Sequence, residues 1–273
     1  MEAAGGFKGF IASRLNLPND DKDKILFVAV ALCLVCSVLV SAAAVALRPL
    51  QERNAELDRR SNILAVAGLM KPGIDVEKAF EAFEPRLVNL DTGEFTDEIS
   101  LDEFKQRAAM GDPTLSHELG SDEDSAGIGS RNNYAEVYLL REGDAIDQII
   151  IPVYGKGLWS TLYGYMSLKS DLNTIAGLQF YEHAETPGLG GEVDNPNWRA
   201  LWHDKVAYDD NGDVALEVIK GTVDRNSAAA EHQVDGLAGA SLTTRGVNNL
   251  VRFWLGQNGF GPFLRNLNAG GDA

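Results

Sequence analysis

The chain has 273 residues, enough for one sizeable domain with additions or for two small ones, and its hydrophobic share of 45% suits an ordinary globular core. The formal net charge is −16, and the stretch through Leu47 balances four basic residues against four acidic ones, so all of the excess lies beyond Leu47. A surface of that sign repels phosphate backbones and anionic headgroups, which argues against nucleic acid as a partner.

Residues 1–24 read as a short tail. The run from Ile25 to Leu47, "ILFVAVALCLVCSVLVSAAAVAL", then carries no charge at all. At the helical rise it spans roughly 34 Å, enough for a bilayer core, and so predicts a single-pass membrane helix. The small residues of "SAAAVA" offer a rival reading as a cleaved secretory signal. The run is longer than the roughly 7 to 15 apolar residues of a signal core, which favours an uncleaved anchor. Lys8, Arg14, Lys22 and Lys24 before the span are matched by Arg48, Arg53, Arg59 and Arg60 after it, so charge gives only a lean towards a cytoplasmic tail. Cys33 and Cys36 fall inside the span and share a helix face. That spacing suits a packing face of small hydrophobes better than a metal or redox pair. With no cysteine beyond Leu47, no disulfide framework exists in the remainder.

After the span, "RPLQERNAELDRRSNILAVAGLM" keeps helical spacing and predicts a helix that stops at Lys71-Pro72-Gly73. "DVEKAFEAFEPRLVNL" predicts a second helix ended by Pro85, followed by a short extended piece. Residues 97–130 are acidic and mixed, with "GSDEDSAGIGSRNN" as a loop. Alternation then predicts strands at "AEVYLLR", "DQIIIPVYG", "TLYGYMSLK", "TIAGLQFYEH" and "VALEVIKG". A last helix is predicted over Thr243–Leu255, with Val247, Leu250, Val251, Trp254 and Leu255 on one face and Gly256 as its stop. Strands that do not alternate regularly with helices predict an α+β fold on a mainly antiparallel sheet with flanking helices. The boundaries expected from this pass are a tail over 1–24, the membrane helix over 25–47, a membrane-proximal mixed segment over 48–125 and a compact domain over 126–267.

Three stretches could carry chemistry. "YEHAETPGLGGEVDNPNW" follows a strand. Pro187-Gly188 fits a type II turn, and Gly190-Gly191 allow a flat ligand to approach the main chain, although an ordinary glycine-cornered turn explains the same letters. "IPVYGKGLWSTLYGYM" crowds Tyr154, Trp159, Tyr163 and Tyr165, which suits either stacking on a planar ligand or core packing. "VDGLAGASLTTRGV" sets Ser241, Thr243 and Thr244 at the mouth of the last helix, behind the small pair Gly239-Ala240. Ser241 or Thr243 could cap that helix. A cap uses one hydroxyl and leaves the others, at a helix start whose N–H groups and dipole favour a phosphate. A serine-hydrolase elbow would need glycine at Thr243 and a base from His183, His203 or His232, and Asp235 near His232 in sequence is not a triad. The histidines lack metal-ligand spacing, and "GLGGEV" lacks a dinucleotide-binding register, so no catalytic or metal residue is assigned.

The order of "NILAVAGL", "YGKGLWSTLYGYM", "ETPGLGGEV", "DGLAGASLT" and "FWLGQNGFGPFL" behind one span closely resembles the C subunit of the bacterial sodium-translocating NADH:quinone reductase, from the span to about Leu267. The G subunit of the related Rnf electron-transport complex shares the plan, but the long segment before Asp97 and the C-terminal stretch favour the reductase. Outside this class, the alternative is a membrane-anchored assembly module without a cofactor. The resemblance implies an FMN-binding domain on the periplasmic side of the bacterial inner membrane. It implies FMN joined through its phosphate to a hydroxyl in a D-x-x-S/T-G-A-T/S motif, attached by a separate flavin transferase. Here the motif runs from Asp235 to Ser241 and makes Ser241 the acceptor, where the family usually has threonine, while Ala238 replaces a usual serine or threonine. Thr243 is the fallback acceptor, and Thr243 and Thr244 are cap or phosphate contacts beside Gly239 and Ala240. Glu185, Thr186, Gly188, Leu189 and Gly190 are implied to border the flavin. The implied activity is one step of electron relay within a sodium-pumping translocase, with the complex's other membrane and redox subunits as partners.

Overall fold

A computed structural model describes residues 3–270, so Met1 and Glu2 of the expected tail lie outside the described residues. The chain divides into two compact units, Met1–Leu57 and Asp58–Ala273.

In the first unit, helix α1 (Ala3–Leu15) occupies most of the stretch expected as a plain tail, and the long helix α2 (Lys22–Val66) begins after a short turn. The two are tied by an Arg14–Asp23 ion pair at 2.6 Å and by the Phe10 and Phe27 rings, 5.8 Å apart and edge to face. Among the described residues, α2 is the one helix long and apolar enough to cross a membrane. It contains both the expected span and the expected following helix in one piece, with Pro49 inside it. It ends at Val66, earlier than the predicted Pro-Gly stop, where Gly68 turns the chain at φ +74°. Cys33 and Cys36 are free and exposed along it.

The second unit is built on a six-stranded antiparallel sheet in the order β2-β1-β5-β6-β7-β8. Helix α3 (Val76–Phe80), capped by the Asp75 side chain on the Lys78 N–H, precedes β1 (Phe83–Asn89) and β2 (Glu94–Thr96). The expected second helix is therefore cut short, and Pro85 lies within β1. It sits where only β5 pairs with that strand, so its missing N–H costs no ladder bond on the open side. Helix α4 (Gln106–Ala109) leads to a small hairpin, β3 (Ser116–Glu118) with β4 (Ser130–Asn132). The expected loop thus ends in a strand, and its turn is shaped by the Asp124 carboxylate, which accepts from the Ile128 and Gly129 N–H groups at 2.8 Å each.

The strands predicted from alternation form the body of the sheet: β5 (Tyr134–Glu142), β6 (Ala145–Lys156), β7 (Thr161–Lys169) and β8 (Ile175–Glu182). Their alternation serves two cores, because successive side chains point to opposite faces. Val137, Leu139, Ile149, Ile151 and Met166 join the main core, whereas Tyr138, Leu140, Ile150 and Tyr165 pack with Ile63, Leu64 and Val66 from the end of α2 and with Ala67 just after it. After α5 (Pro196–Ala200), the predicted strand "VALEVIKG" contracts to β9 (Glu217–Val218), which pairs in parallel with β10 (Gln233–Val234). Helix α6 (Ser241–Leu255) lies on the main core, and α7 (Gly261–Asn268), not predicted, closes it with Phe263 and Leu264. The expected boundary at 125/126 falls inside this unit, since β1 and β2 belong to the same sheet as β5–β8.

The end of α2 is fastened to the sheet by polar contacts as well. Arg59 Nη1 donates to Glu136 Oε1 and Oε2 at 3.0 and 2.9 Å and to the Tyr138 hydroxyl at 2.7 Å. Asn62 Oδ1 accepts from Gln179 Nε2 at 2.7 Å. Arg59→Ala leaves the shielded Glu136 carboxylate without this partner and is expected to cost about 1–3 kcal/mol, read by denaturant unfolding of the full chain in detergent.

Candidate functional site

Three segments meet at the start of α6. The first is the tight connection between β6 and β7. Lys156 pairs with Thr161, and the Gly157 N–H closes on the Ser160 carbonyl at 2.8 Å. This leaves Leu158 and Trp159 at the tip, with Trp159 68% exposed. Tyr154, by contrast, is buried against Trp254 at 4.7 Å between ring centres, so the aromatic stretch divides between core packing and one open indole.

The second segment follows β8. Gly188 at φ +76° and the Leu189 N–H bonded to the Thr186 carbonyl at 3.1 Å make Thr186-Pro187-Gly188-Leu189 a type II turn, as its Pro-Gly pair predicts. Thr186, Gly188 and Leu189 are exposed, whereas Gly190 and Glu185 face inward. A Cβ at Gly190 would stand 2.5 Å from Thr243 Oγ1 and 2.6 Å from Glu185 Oε2, so only glycine fits between this loop and α6.

The third segment is the motif itself. Asp235 is committed to the fold, accepting from the Val223 N–H at 2.9 Å and pairing with Arg225 at 2.8 Å. Gly239 takes φ +74° and brings the chain beneath Leu189, whose Cδ2 would lie 3.1 Å from a Cβ there. Helix α6 starts at Ser241, two residues earlier than predicted, with Ala240 at the cap position and no side-chain cap. The expectation that Ser241 or Thr243 caps the helix is therefore corrected, and the reason is local. Thr243 is 0% exposed and donates its hydroxyl to Glu185 Oε2 at 2.6 Å. Thr244 is also buried, its Oγ1 accepting from the Leu237 N–H at 2.9 Å. Ser241 is itself the first helical residue, beyond the cap position. Of the three hydroxyls only Ser241 is exposed, next to the exposed Leu242. Polarity alone groups the two threonines with Ser241, but the period of the helix turns 243 and 244 into the core. Beside Leu242 and Leu158 lies an open hollow of about 270 Å³, bordered also by Lys156, Arg245 and Gly127.

Glu185 is 5% exposed, and Oε1 accepts from the N–H groups of both Leu158 and Trp159 at 2.9 Å. Burial opposes its ionisation. The hydrogen bonds from the Thr243 hydroxyl and from the Trp159, Ser160 and Leu158 N–H groups outweigh that cost, and the carboxyl titrates below the usual glutamate range. A carboxyl with a lowered folded value contributes stability that is complete above its unfolded value and is lost as pH falls through the folded one. The thermal midpoint of the full chain in detergent is accordingly expected to drop on acidification below the usual carboxylate range, and Glu185→Gln to remove that component. The resemblance places Glu185 beside a ligand; its commitment to protein donors is not readable from the loop alone.

His183 has no nitrogen left to act as a base, and His232 Nδ1 is taken by a backbone carbonyl rather than by Asp235, whose carboxylate is engaged by Val223 and Arg225. His183 Nε2 meets Asp194 at 2.8 Å while its Nδ1 accepts from the Glu185 N–H at 3.2 Å, and His232 Nδ1 bonds the Val206 carbonyl at 2.8 Å. Among the described residues no cluster of His, Cys, Asp and Glu could hold a metal ion.

Residues 157–256, which contain all three converging segments, match the FMN-binding domain family. The C subunit of the Na(+)-translocating NADH-quinone reductase of Pseudomonas aeruginosa is 51% identical over 251 residues, covering 90% of this chain and 96% of that one. The chain belongs to the family of this reductase component. Its counterpart in Vibrio anguillarum is 47% identical over 93% of this chain and 98% of its own length. The crystal structure of Shewanella oneidensis NqrC superposes with a TM-score of 0.71 at 36% identity, over 80% of this chain and 99% of that one. The crystal structure of the Parabacteroides distasonis counterpart gives 0.61 at 27% identity, over 80% and 96% respectively. The chain thus shares the NqrC fold over most of its length. The site residues fit the group the family name implies: an exposed hydroxyl on an uncapped helix start, small neighbours at Gly239 and Ala240, and exposed apolar side chains at Trp159, Leu189 and Leu242.

Proposed function

We propose that this NqrC-family protein holds FMN esterified through its phosphate to Ser241 and relays electrons with it inside a membrane-bound, sodium-translocating NADH:quinone reductase. The observation that carries the reading is the isolation of Ser241. It is the exposed hydroxyl of the motif, at the uncapped start of a 15-residue helix, within the stretch that matches the FMN-binding family. The positive end of the helix dipole favours a phosphate there by about 0.3–1 kcal/mol, and the N–H groups of the first turn point the same way.

In this reading a separate flavin transferase moves the FMN phosphoryl group from a phosphoanhydride-bearing flavin donor to Ser241 Oγ: the new O–P bond forms as the donor's P–O–P bond breaks, the remaining phosphate half of the donor leaves, and the serine proton passes to solvent. Gly239 and Ala240 keep the approach open. Thr186, Gly188 and Leu189 form one rim, and Trp159 and Leu242 offer apolar surface to a planar ring. FMN, when bound, supplies the electron-transfer chemistry, and the protein's part is to place it and set its surroundings. Covalent attachment keeps the cofactor on the periplasmic side, where a dissociated flavin would be lost, with α2 as the anchor in the inner membrane. The other membrane and redox subunits of the complex would be the electron donor and acceptor. The test is flavin fluorescence of the denatured full chain in a gel, after expression with the transferase. A wild-type band without flavin would overturn the reading.

A further inference from the structure

We infer that Glu185 is a positioning residue that sets the orientation of the flavin without touching it, an inference that rests on the reading above. The carboxylate sits where the three segments cross. Its Oε1 holds the backbone of Leu158 and Trp159 at 2.9 Å, and its Oε2 takes the Thr243 hydroxyl, two residues beyond Ser241, at 2.6 Å. Both oxygens are spent on protein donors and the side chain is shielded, so it has no face to offer a ligand.

The packing around it leaves little slack. A Cβ at Gly157 would lie 2.5 Å from Oε1, and one at Gly190 would lie 2.6 Å from Oε2. Gly246, on the next turn of α6, lies against the same connection, since a Cβ there would stand 2.4 Å from the Lys156 carbonyl oxygen. The loop bearing Glu185 is held in turn from behind. The Ala184 N–H donates to Ser160 Oγ at 2.7 Å, and the Glu185 N–H donates to His183 Nδ1, with His183 Nε2 on Asp194. One carboxylate therefore fixes the backbone that carries the Trp159 indole relative to the helix start that presents Ser241. An acceptor shared between backbone N–H groups and a hydroxyl places both more firmly than surface loops place themselves.

The test uses the full chain in detergent, flavinylated in the wild type, Glu185→Gln and Thr243→Val. Covalent incorporation is read by in-gel fluorescence, and orientation by the visible circular dichroism, the fluorescence anisotropy and the midpoint potential of the flavin. Both variants are expected to keep the covalent flavin while losing most of its visible dichroism and lowering its anisotropy. Glu185→Gln should also raise the midpoint potential, because a neutral amide replaces a nearby negative charge and reduction adds negative charge to the flavin. Unchanged dichroism, anisotropy and potential in Glu185→Gln would overturn the inference. A wild type without flavin defeats the reading beneath it instead. Hydrogen exchange then still decides whether the lock exists: the Leu158 and Trp159 amides are expected to exchange about tenfold faster in Glu185→Ala, and unchanged protection there would remove it.

Discussion

Ser241→Ala is expected to bring in-gel flavin fluorescence to background, whereas Thr243→Val and Ser241→Thr keep it. The contrast follows from the helix period. Ser241 stands on the exposed side of the first turn, and Thr243 and Thr244 are turned into the core, one bonded to Glu185 and the other to the Leu237 N–H. A transferase has no access to a hydroxyl that is 0% exposed unless the turn unwinds. Ser241→Ala removes only a solvent-facing hydroxyl that caps nothing, so unfolding of the unflavinylated chain should be the same within about 0.5 kcal/mol. Fluorescence retained in Ser241→Ala but lost in Thr243→Val would move the attachment to Thr243 and require a rearranged helix start.

Trp254→Ala is expected to destabilise the domain by about 3–5 kcal/mol and, alone among these substitutions, to abolish flavin attachment from a distance. Trp254 is buried near the far end of α6, its ring against Tyr154 at 4.7 Å and Phe260 at 5.6 Å, and its Nε1 donates to the Tyr154 carbonyl at 2.7 Å. That bond joins the helix carrying Ser241 to the strand that runs on into the Trp159 connection. Trp254→Phe should keep much of the packing and lose the hydrogen bond, at about 1–3 kcal/mol. Denaturant unfolding of the full chain in detergent measures both, and equal costs for the two variants would show that the aromatic contacts contribute little.

The regular elements could be read from the letters because one physical rule governs each. Strands β5 to β8 alternate over enough residues for the period to be plain, and the Val247, Leu250, Val251, Trp254 stripe identifies α6. Where two rules compete, reading fails. "VALEVIKG" alternates like a strand, but Glu217 and Val218 pair only with the two-residue strand Gln233–Val234, and Val214 makes a single bridge to Tyr208. Helix α7 lies behind the glycines of "GQNGFGPF", which read as breakers, yet Pro262 sits in its first turn, where a proline is tolerated. The site divides in the same way. The Pro-Gly turn and the small residues before Ser241 are local features and are legible, whereas the Thr243 hydroxyl meets Glu185 across 58 residues of sequence, a partnership no spacing rule can supply.

The lock around Glu185 also bears on when maturation can happen. The seven residues from Asp235 to Ser241 are present in the nascent chain, but the arrangement that exposes Ser241 and hides Thr243 is not. It needs the β6–β7 connection, the loop after β8 and the first turn of α6 all in place. In this reading the lock is a later requirement than attachment: variants that break it still carry flavin, so a copy whose three segments have not docked would be loaded and yet hold its flavin in no fixed orientation.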